Sequence, residues 1–546
     1  MSGAAVGPPG TAPTPAGEAA TGAGPGGSAP LVVVGAGISG LAAAWEASRA
    51  GVPVVVLEAT ERVGGVMARG ELEVPGARRP LVVDLGPESL LARRREALTL
   101  LAELGLADQV VHPEPVPAAV ATRGRLHALP PGTVMGAPRS SAALEGLLTP
   151  TEVARVQDER VEPLPGGAAD VAVGALVAGR VGRAVVDRLV EPLLGGVYAG
   201  SAWHLSARAT VPALWDLAVR GEPLLRAGSP GGAGPQAPGA TAAGAPTTAG
   251  APAAGPVFAG LRGGVARLAE ELATRLGREG VEIRLRAPVT ALRPLPPPTA
   301  GDLDAAERGG WLVSTAEADL RARAVVVALP APAAARLLTG VVPAAARALA
   351  RVRTASSALA TVVVPGRVLA GVGRSGLLVP PVDGRTVKAS TFSSLKWGWL
   401  AEASRALGDG AHADGDPPAV LRVSAGRAGE EEVLEREDAD LLRTAADELG
   451  ALLGGEALPV LAGRVDRWWQ GLPQYDVGHL DLLDQVHAAV AGVQGLALAG
   501  SAYDGVGVPA CVGRGRAAAR EVLAGAHRGG PAAPVEAPAA PGRMPP

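Results

Sequence analysis

Short, unbroken apolar runs punctuate a chain otherwise rich in Ala, Gly and Pro. Leu31 to Val34 and Val54 to Leu57 are two such runs, and their length predicts strands. The Ala-rich stretch between them predicts a helix ending near Gly51. Residues 91–228 read mainly as helix. There Ala97, Leu98, Leu101 and Leu104 fall at helical spacing, and Gly105 suits the position just past a helix end. Strand patterns return in VEIRL (281–285), WLVS (311–314) and AVVVALP (324–330), where Pro330 stops pairing. Late in the chain, Leu496 to Ala499 predicts a strand that runs through Gly500, Gly505 and Gly507 into a helix starting near Ala510. Two strand–glycine–helix units so far apart imply one α/β domain built from separate segments.

Residues 229–256 are almost entirely Pro, Gly, Ala and Thr without periodicity, so they read as a disordered surface insertion. Residues 1–29 and 527–546 share that composition and read as disordered tails. The expected layout places a discontinuous α/β domain in 30–90, 257–335 and 464–526. A mainly helical region occupies 91–228, and a mixed α+β domain occupies 336–463. A chain of 546 residues accommodates two or three such domains.

Composition narrows the function. A formal net charge of −3 argues against nucleic-acid binding. Cys511 is the single cysteine, so no disulfide forms within the chain, which suits a reducing cytoplasm; its expected role is a small buried residue. No signal-peptide pattern and no run of about 18 apolar residues is present, so no membrane span is expected. Lysine occurs only at 388 and 396, and the remaining basic residues are arginine.

The first unit carries recognisable chemistry. Gly35 allows a sharp turn, Gly37 allows backbone to approach a pyrophosphate, and Gly40 allows the helix to pack close to the strand. The free N–H groups of the helix start then face the phosphates. Glu58, at the end of the second strand, is placed to bind both hydroxyls of an adenosine ribose. Together these features predict a dinucleotide site.

Glu58 opens the run E-A-T-E-R-V-G-G, residues 58–65. This run resembles the second motif of FAD-dependent oxidases with the amine-oxidase-like fold, in which the paired glycines pass close to FAD. More specific stretches follow: DLGPESLLARRR (84–95), LPPGTVMGAP (129–138), VVDRLVEPLLGGVYAG (185–200), VKASTFSSLKW (387–397), LRVSAGR (421–427), RWWQGLPQYDVGHL (467–480) and AYDGVGVPACVGRG (502–515). With these the chain resembles the soluble bacterial porphyrinogen oxidases of haem synthesis, which act on coproporphyrinogen III or protoporphyrinogen IX.

The resemblance implies a Rossmann-like FAD domain and assigns roles. Gly35, Ala36, Gly37, Ile38, Ser39 and Gly40 are expected at the pyrophosphate, and Glu58 and Ala59 at the adenosine ribose. Gly64 and Gly65 are expected along the FAD, and Gly86, Pro87, Glu88 and Ser89 beside the flavin. Val289 is expected at the adenine and Trp468 near the adenosine side. Val506, Gly507 and Val508 are expected at the flavin ring, by a helix N-terminus. The chain departs from the family at Val66, where relatives carry a base, at Ser201 in place of Asp, and at the bulky pair Trp469-Gln470.

The implied reaction is a six-electron oxidation of coproporphyrinogen III to coproporphyrin III by FAD, with oxygen as acceptor and hydrogen peroxide as product. It includes transient contact with the next enzyme of the haem pathway. Flavin supplies the redox chemistry, so no catalytic triad or metal is required. His479 reads as a structural hydrogen-bonder rather than a base. Arg93, Arg94 and Arg95 follow the flavin loop and are the leading candidates for binding substrate carboxylates, ahead of Arg139, Lys388 and Lys396. The alternatives are protoporphyrinogen IX oxidase, another flavin amine oxidase or desaturase, and a non-catalytic porphyrin-binding flavoprotein.

Overall fold

A computed structural model describes residues 29–162, 164, 169–225, 256–296, 309–408 and 416–527. The insertion at 229–255 and the tails at 1–28 and 528–546 lie outside the described residues.

Five parallel strands form the first sheet, in the order Glu282–Arg284, Val54–Leu57, Leu31–Val34, Ala324–Val327 and Leu496–Leu498. They come from three distant stretches of chain, as the discontinuous domain requires. Side chains alternate across a strand, and here both sides are covered. Leu31 and Val33 face a core shared with the helices Ile38–Arg49, Arg267–Arg278 and Val508–His527. Val32 and Val34 face a second core shared with Ala331–Leu338, Pro343–Leu349 and His479–Ala491. Burial on both faces is why the strand runs are continuously apolar rather than alternating.

A seven-stranded sheet forms the second body, in the order Ala462–Pro473, Thr354–Pro365, Pro418–Ala425, Val387–Thr391, Gly376–Leu378, Ala119–Thr122 and Arg125–Ala128. Helix Asp438–Leu452 covers one face. This sheet moves two expected boundaries. Residues 464–473, expected in the cofactor domain, instead pair with Thr354–Pro365. Residues 119–128, expected in the helical region, form a hairpin on the far edge. Its turn residues Arg123 and Gly124 both have positive φ, 53° and 72°, the backbone of a tight two-residue hairpin turn.

The rest of 91–228 is largely helical. It includes Val173–Val181, Glu191–Tyr198 and Pro212–Val219, packed around their own core. The expected helix near Ala97 spans Arg95–Glu103, and Gly105 takes a φ of +75° just beyond it. Among the described residues, no helix is long and apolar enough to cross a membrane.

Two glycines fix how the helices meet the first sheet. A Cβ on Gly40 would lie 1.9 Å from the Gly35 carbonyl oxygen, and one on Gly515 would lie 2.0 Å from that of Ser39. Gly515→Ala must therefore push helix Val508–His527 away from Ile38–Arg49. The expected cost is about 1–3 kcal/mol of stability, read as a lower denaturation midpoint. Gly277→Ala, on an exposed helical face with no atom within 4 Å, is expected to be neutral or to stabilise by about 0.5–1 kcal/mol. Equal midpoints for the two variants would contradict this packing.

Candidate cofactor and substrate site

Three stretches of backbone lie against one another at the end of the parallel sheet. Gly35 turns with a φ of +102°, and a Cβ there would sit 2.6 Å from the Ala328 carbonyl oxygen. Gly37 then caps helix Ile38–Arg49, which has no side-chain cap and no acid in its first turn. Its N–H groups and positive dipole end are thus left for an anion. Gly37 bridges Gly64, and the Gly64 N–H donates to the Ala36 carbonyl at 2.8 Å. A Cβ on Gly65 would lie 3.4 Å from the Gly37 Cα, and one on Gly86 would lie 1.8 Å from the Val66 carbonyl oxygen. A Cβ on Gly37, by contrast, meets no atom within 4 Å. The glycines form a floor of bare backbone, and Gly37 is its open point, where a ligand can press closest.

Glu58 sits beside this floor. Its carboxylate accepts from the Ala36 N–H at 2.8 Å and from the Thr60 N–H and hydroxyl at 2.9 Å. A carboxylate has acceptor capacity beyond these three bonds, so a ribose can still be bound. Ala59 is exposed next to it. The Glu58 carbonyl accepts from the Ala287 N–H at 2.8 Å, which ties strand Val289–Pro294 to the same corner. Trp468 donates its ring N–H to the Leu85 carbonyl at 2.8 Å, and the Arg62 guanidinium lies 5.6 Å over its ring. Val66 is 42% exposed. These groups fit the middle and one arm of an extended dinucleotide: uncapped helix N–H groups and bare glycine for the central pyrophosphate, an acid for the adjoining ribose.

A further stretch, 500–508, is held by the segment that follows strand Ala462–Pro473. Tyr475 donates its hydroxyl to the Ser501 carbonyl at 2.6 Å, and His479 bonds the Ala502 carbonyl at 2.9 Å through Nε2. The two rings stack 4.0 Å apart. His479 is buried, and burial holds its pKa below the ordinary value. It is a structural hydrogen-bonder that shapes the loop. Gly507 follows and leads into helix Val508–His527, which has no acid in its first turn. Val506 is half-buried and Val508 buried. Cys511 is buried one turn on, and burial pushes its thiol up to about 11, as suits a packing residue.

Glu88 is where sequence reasoning missed the most. Its carboxylate is bonded by Lys396 at 2.8 Å, Ser393 at 2.9 Å and Arg422 at 3.0 Å. Burial opposes its charge, but Lys396 and Arg422 outweigh burial and pull its pKa down to about 2. Lys396 is therefore committed to Glu88. Lys388 is buried too, with its ammonium donating to the Gly426 carbonyl at 2.9 Å; burial lowers its pKa to about 7. Neither lysine stands ready as a free substrate cation. The arginine triplet also divides. Arg94 pairs with Glu96 at 2.7 Å and reaches the Asp504 carbonyl at 3.5 Å, whereas Arg93 and Arg95 are exposed. Ser201 donates to the buried Glu191 at 2.7 Å. Gln470 takes a φ of +52° and Trp469 is 53% exposed.

Gly37→Val adds an isopropyl group at the open point of the floor, where no protein atom competes. The expected outcome is an apoprotein of unchanged stability that purifies without flavin. The parent's stabilisation by added FAD should be absent, because ligand binding to the folded state is what raises stability. A variant that keeps its full flavin complement would overturn the assignment of this floor.

Known proteins share this architecture. The family described as flavin containing amine oxidoreductase matches residues 38–523. The coproporphyrinogen III oxidase of Mycobacterium tuberculosis is 36% identical over 499 residues, covering 90% of this chain and 96% of that protein. The protoporphyrinogen oxidase of Bos taurus is 29% identical, covering 90% and 98%. Among solved structures, a protein of Exiguobacterium sp. 255-15, provisionally named a protoporphyrinogen oxidase, superposes with a TM-score of 0.70 at 28% identity, covering 91% of this chain and 98% of that one. Cyclohexylamine oxidase from Brevibacterium oxydans shares the fold at a TM-score of 0.61 and 18% identity, covering 92% and 100%. The chain belongs to the flavin-containing amine oxidoreductase family, in its porphyrinogen oxidase branch, and its cofactor is FAD.

Proposed function

We propose that this protein oxidises coproporphyrinogen III to coproporphyrin III in haem synthesis, in the cytoplasm, with oxygen as electron acceptor. One observation carries the reading: segments that carry the resemblance to the porphyrinogen oxidases bond to one another across hundreds of residues. Glu88 of GPES meets Lys396 of SSLKW and Arg422 of LRVSAGR. Gln474 of LPQYDVGH donates to the Tyr198 carbonyl of GGVYAG at 2.7 Å. Tyr475 and His479 of that same motif hold the Ser501–Ala502 loop. The names of the most similar bacterial relatives support the tetracarboxylate substrate over protoporphyrinogen IX.

The macrocycle loses six electrons and six hydrogens, in three two-electron rounds that convert three oxygen molecules to three of hydrogen peroxide. Bound flavin supplies the hydride-accepting chemistry. The protein's own residues supply position. Backbone of Gly37, Gly65 and Gly86 carries the cofactor, and the seven-stranded sheet forms the opposing wall. Arg93 and Arg95 are proposed to orient the carboxylate arms, since Arg94 is committed to Glu96. Product is proposed to pass directly to the next enzyme of the pathway by transient contact.

Parallel turnover of the two porphyrinogens tests the substrate. Faster oxidation of coproporphyrinogen III, with three equivalents of peroxide per porphyrin, is the expected result; exclusive use of protoporphyrinogen IX would contradict it. Arg93→Ala or Arg95→Ala is expected to raise KM about tenfold to more than a hundredfold, the loss of one charged contact of about 1.5–3 kcal/mol. Flavin content should stay normal, and esterifying the carboxylates should abolish the difference from the parent. Unchanged KM in both variants would move the carboxylate site elsewhere.

A further inference from the structure

Residues 84–88 form a loop in which every member but Pro87 is tied to a distant segment. Asp84 accepts from the Val265 and Ala266 N–H groups at 2.9 and 3.0 Å. Leu85 donates to the Ala68 carbonyl at 2.8 Å and accepts from Trp468. Gly86 lies on the Val66 backbone and its carbonyl accepts from Arg422. Glu88 holds Lys396, Ser393 and Arg422. Of these anchors, Trp468 and Arg422 stand on the seven-stranded sheet, and Ser393 and Lys396 on the short helix that follows strand Val387–Thr391. The flavin loop is thus gripped from the substrate side.

The grip is buried. Arg422 is 7% exposed, and its Nε has no hydrogen-bond partner among the described residues. The guanidinium is therefore oriented by Glu88 and the Gly86 carbonyl alone. Burying a carboxylate with two cations costs heavily in desolvation, and apolar residues of equal volume would serve stability as well. What such a network supplies is a defined geometry.

We propose that Lys396 and Arg422 are positioning residues of the redox site. Acting through Glu88 and the Gly86 carbonyl, they hold the Gly86–Ser89 loop against the Val66 backbone. They thereby set where the bound flavin ring lies relative to the substrate sheet. The proposal needs FAD, which family membership supplies, and is independent of which porphyrinogen is oxidised.

The test uses holoenzyme without substrate and reads the visible circular dichroism of the bound flavin, its reduction potential and the FAD dissociation constant. Lys396→Met, Arg422→Met and Glu88→Gln are each expected to change the flavin dichroism and weaken FAD binding by about tenfold or more. The double variant Lys396→Met/Glu88→Gln should be no worse than the weaker single, because the pair acts as a unit. Lower thermal stability with unchanged dichroism and potential would overturn the proposal, as would additive effects of the two substitutions. If charge removal prevents folding, Glu88→Asp and Lys396→Arg keep the charges but displace them. They must then also alter the dichroism; a parental spectrum in both overturns the proposal.

Discussion

Backbone lies directly on backbone where Gly37 meets Gly64 and Gly65, and where Gly86 meets Val66, and the cofactor site depends on that contact. A Cβ on Gly86 would fall 1.8 Å from the Val66 carbonyl oxygen, far inside van der Waals contact. These glycine stretches can therefore approach only without side chains, and their approach sets the uncapped helix start beside the Glu58 carboxylate and the loop at Gly86. Everything else in the cofactor domain serves this arrangement. Two apolar strands buried on both faces give it a rigid base, and Gly40 and Gly515 let the helices close in behind.

The second body completes the site by reaching across. Its sheet sends Arg422 and Trp468 to the loop at Leu85–Gly86, while the LPQYDVGH segment, leaving the same sheet, holds both the helical cap and the loop at 500–507. Taking a polar network out of water strengthens each of its bonds, so its geometry is narrowly defined. That explains why residues hundreds of positions apart behave as one motif: Glu88 and Arg422 are separated by 334 residues.

What was legible in the sequence follows from the range of the forces involved. The strands at Leu31–Val34 and Val54–Leu57 were read with their observed limits, because burial on both faces writes an unbroken apolar run. The glycine turn was legible because a turn is local: Gly35 takes a φ of +102°, and Glu58 directly follows strand Val54–Leu57. The hairpin at 119–128 was not, because its Arg123-Gly124 turn lacks the usual Asn-Gly or Asp-Gly signal. Residues 464–473 were placed in the wrong body, since pairing with a strand about a hundred residues earlier leaves no local pattern. Lys388 and Lys396 read as free cations because charge is usually solvated; both are buried or paired. An acid inside the otherwise small and apolar GPES stretch was the available hint that a buried base must answer it.

The central claim is that FAD on this glycine floor takes electrons from a porphyrinogen held against the opposing sheet. Anaerobic mixing of the purified, flavin-loaded protein with coproporphyrinogen III, followed by its visible spectrum, tests it most directly. The account predicts that the oxidised flavin band bleaches at once, and that it returns, together with porphyrin absorbance, when oxygen is admitted. A flavin band that persists under anaerobic porphyrinogen, or a purified protein without flavin, would contradict it.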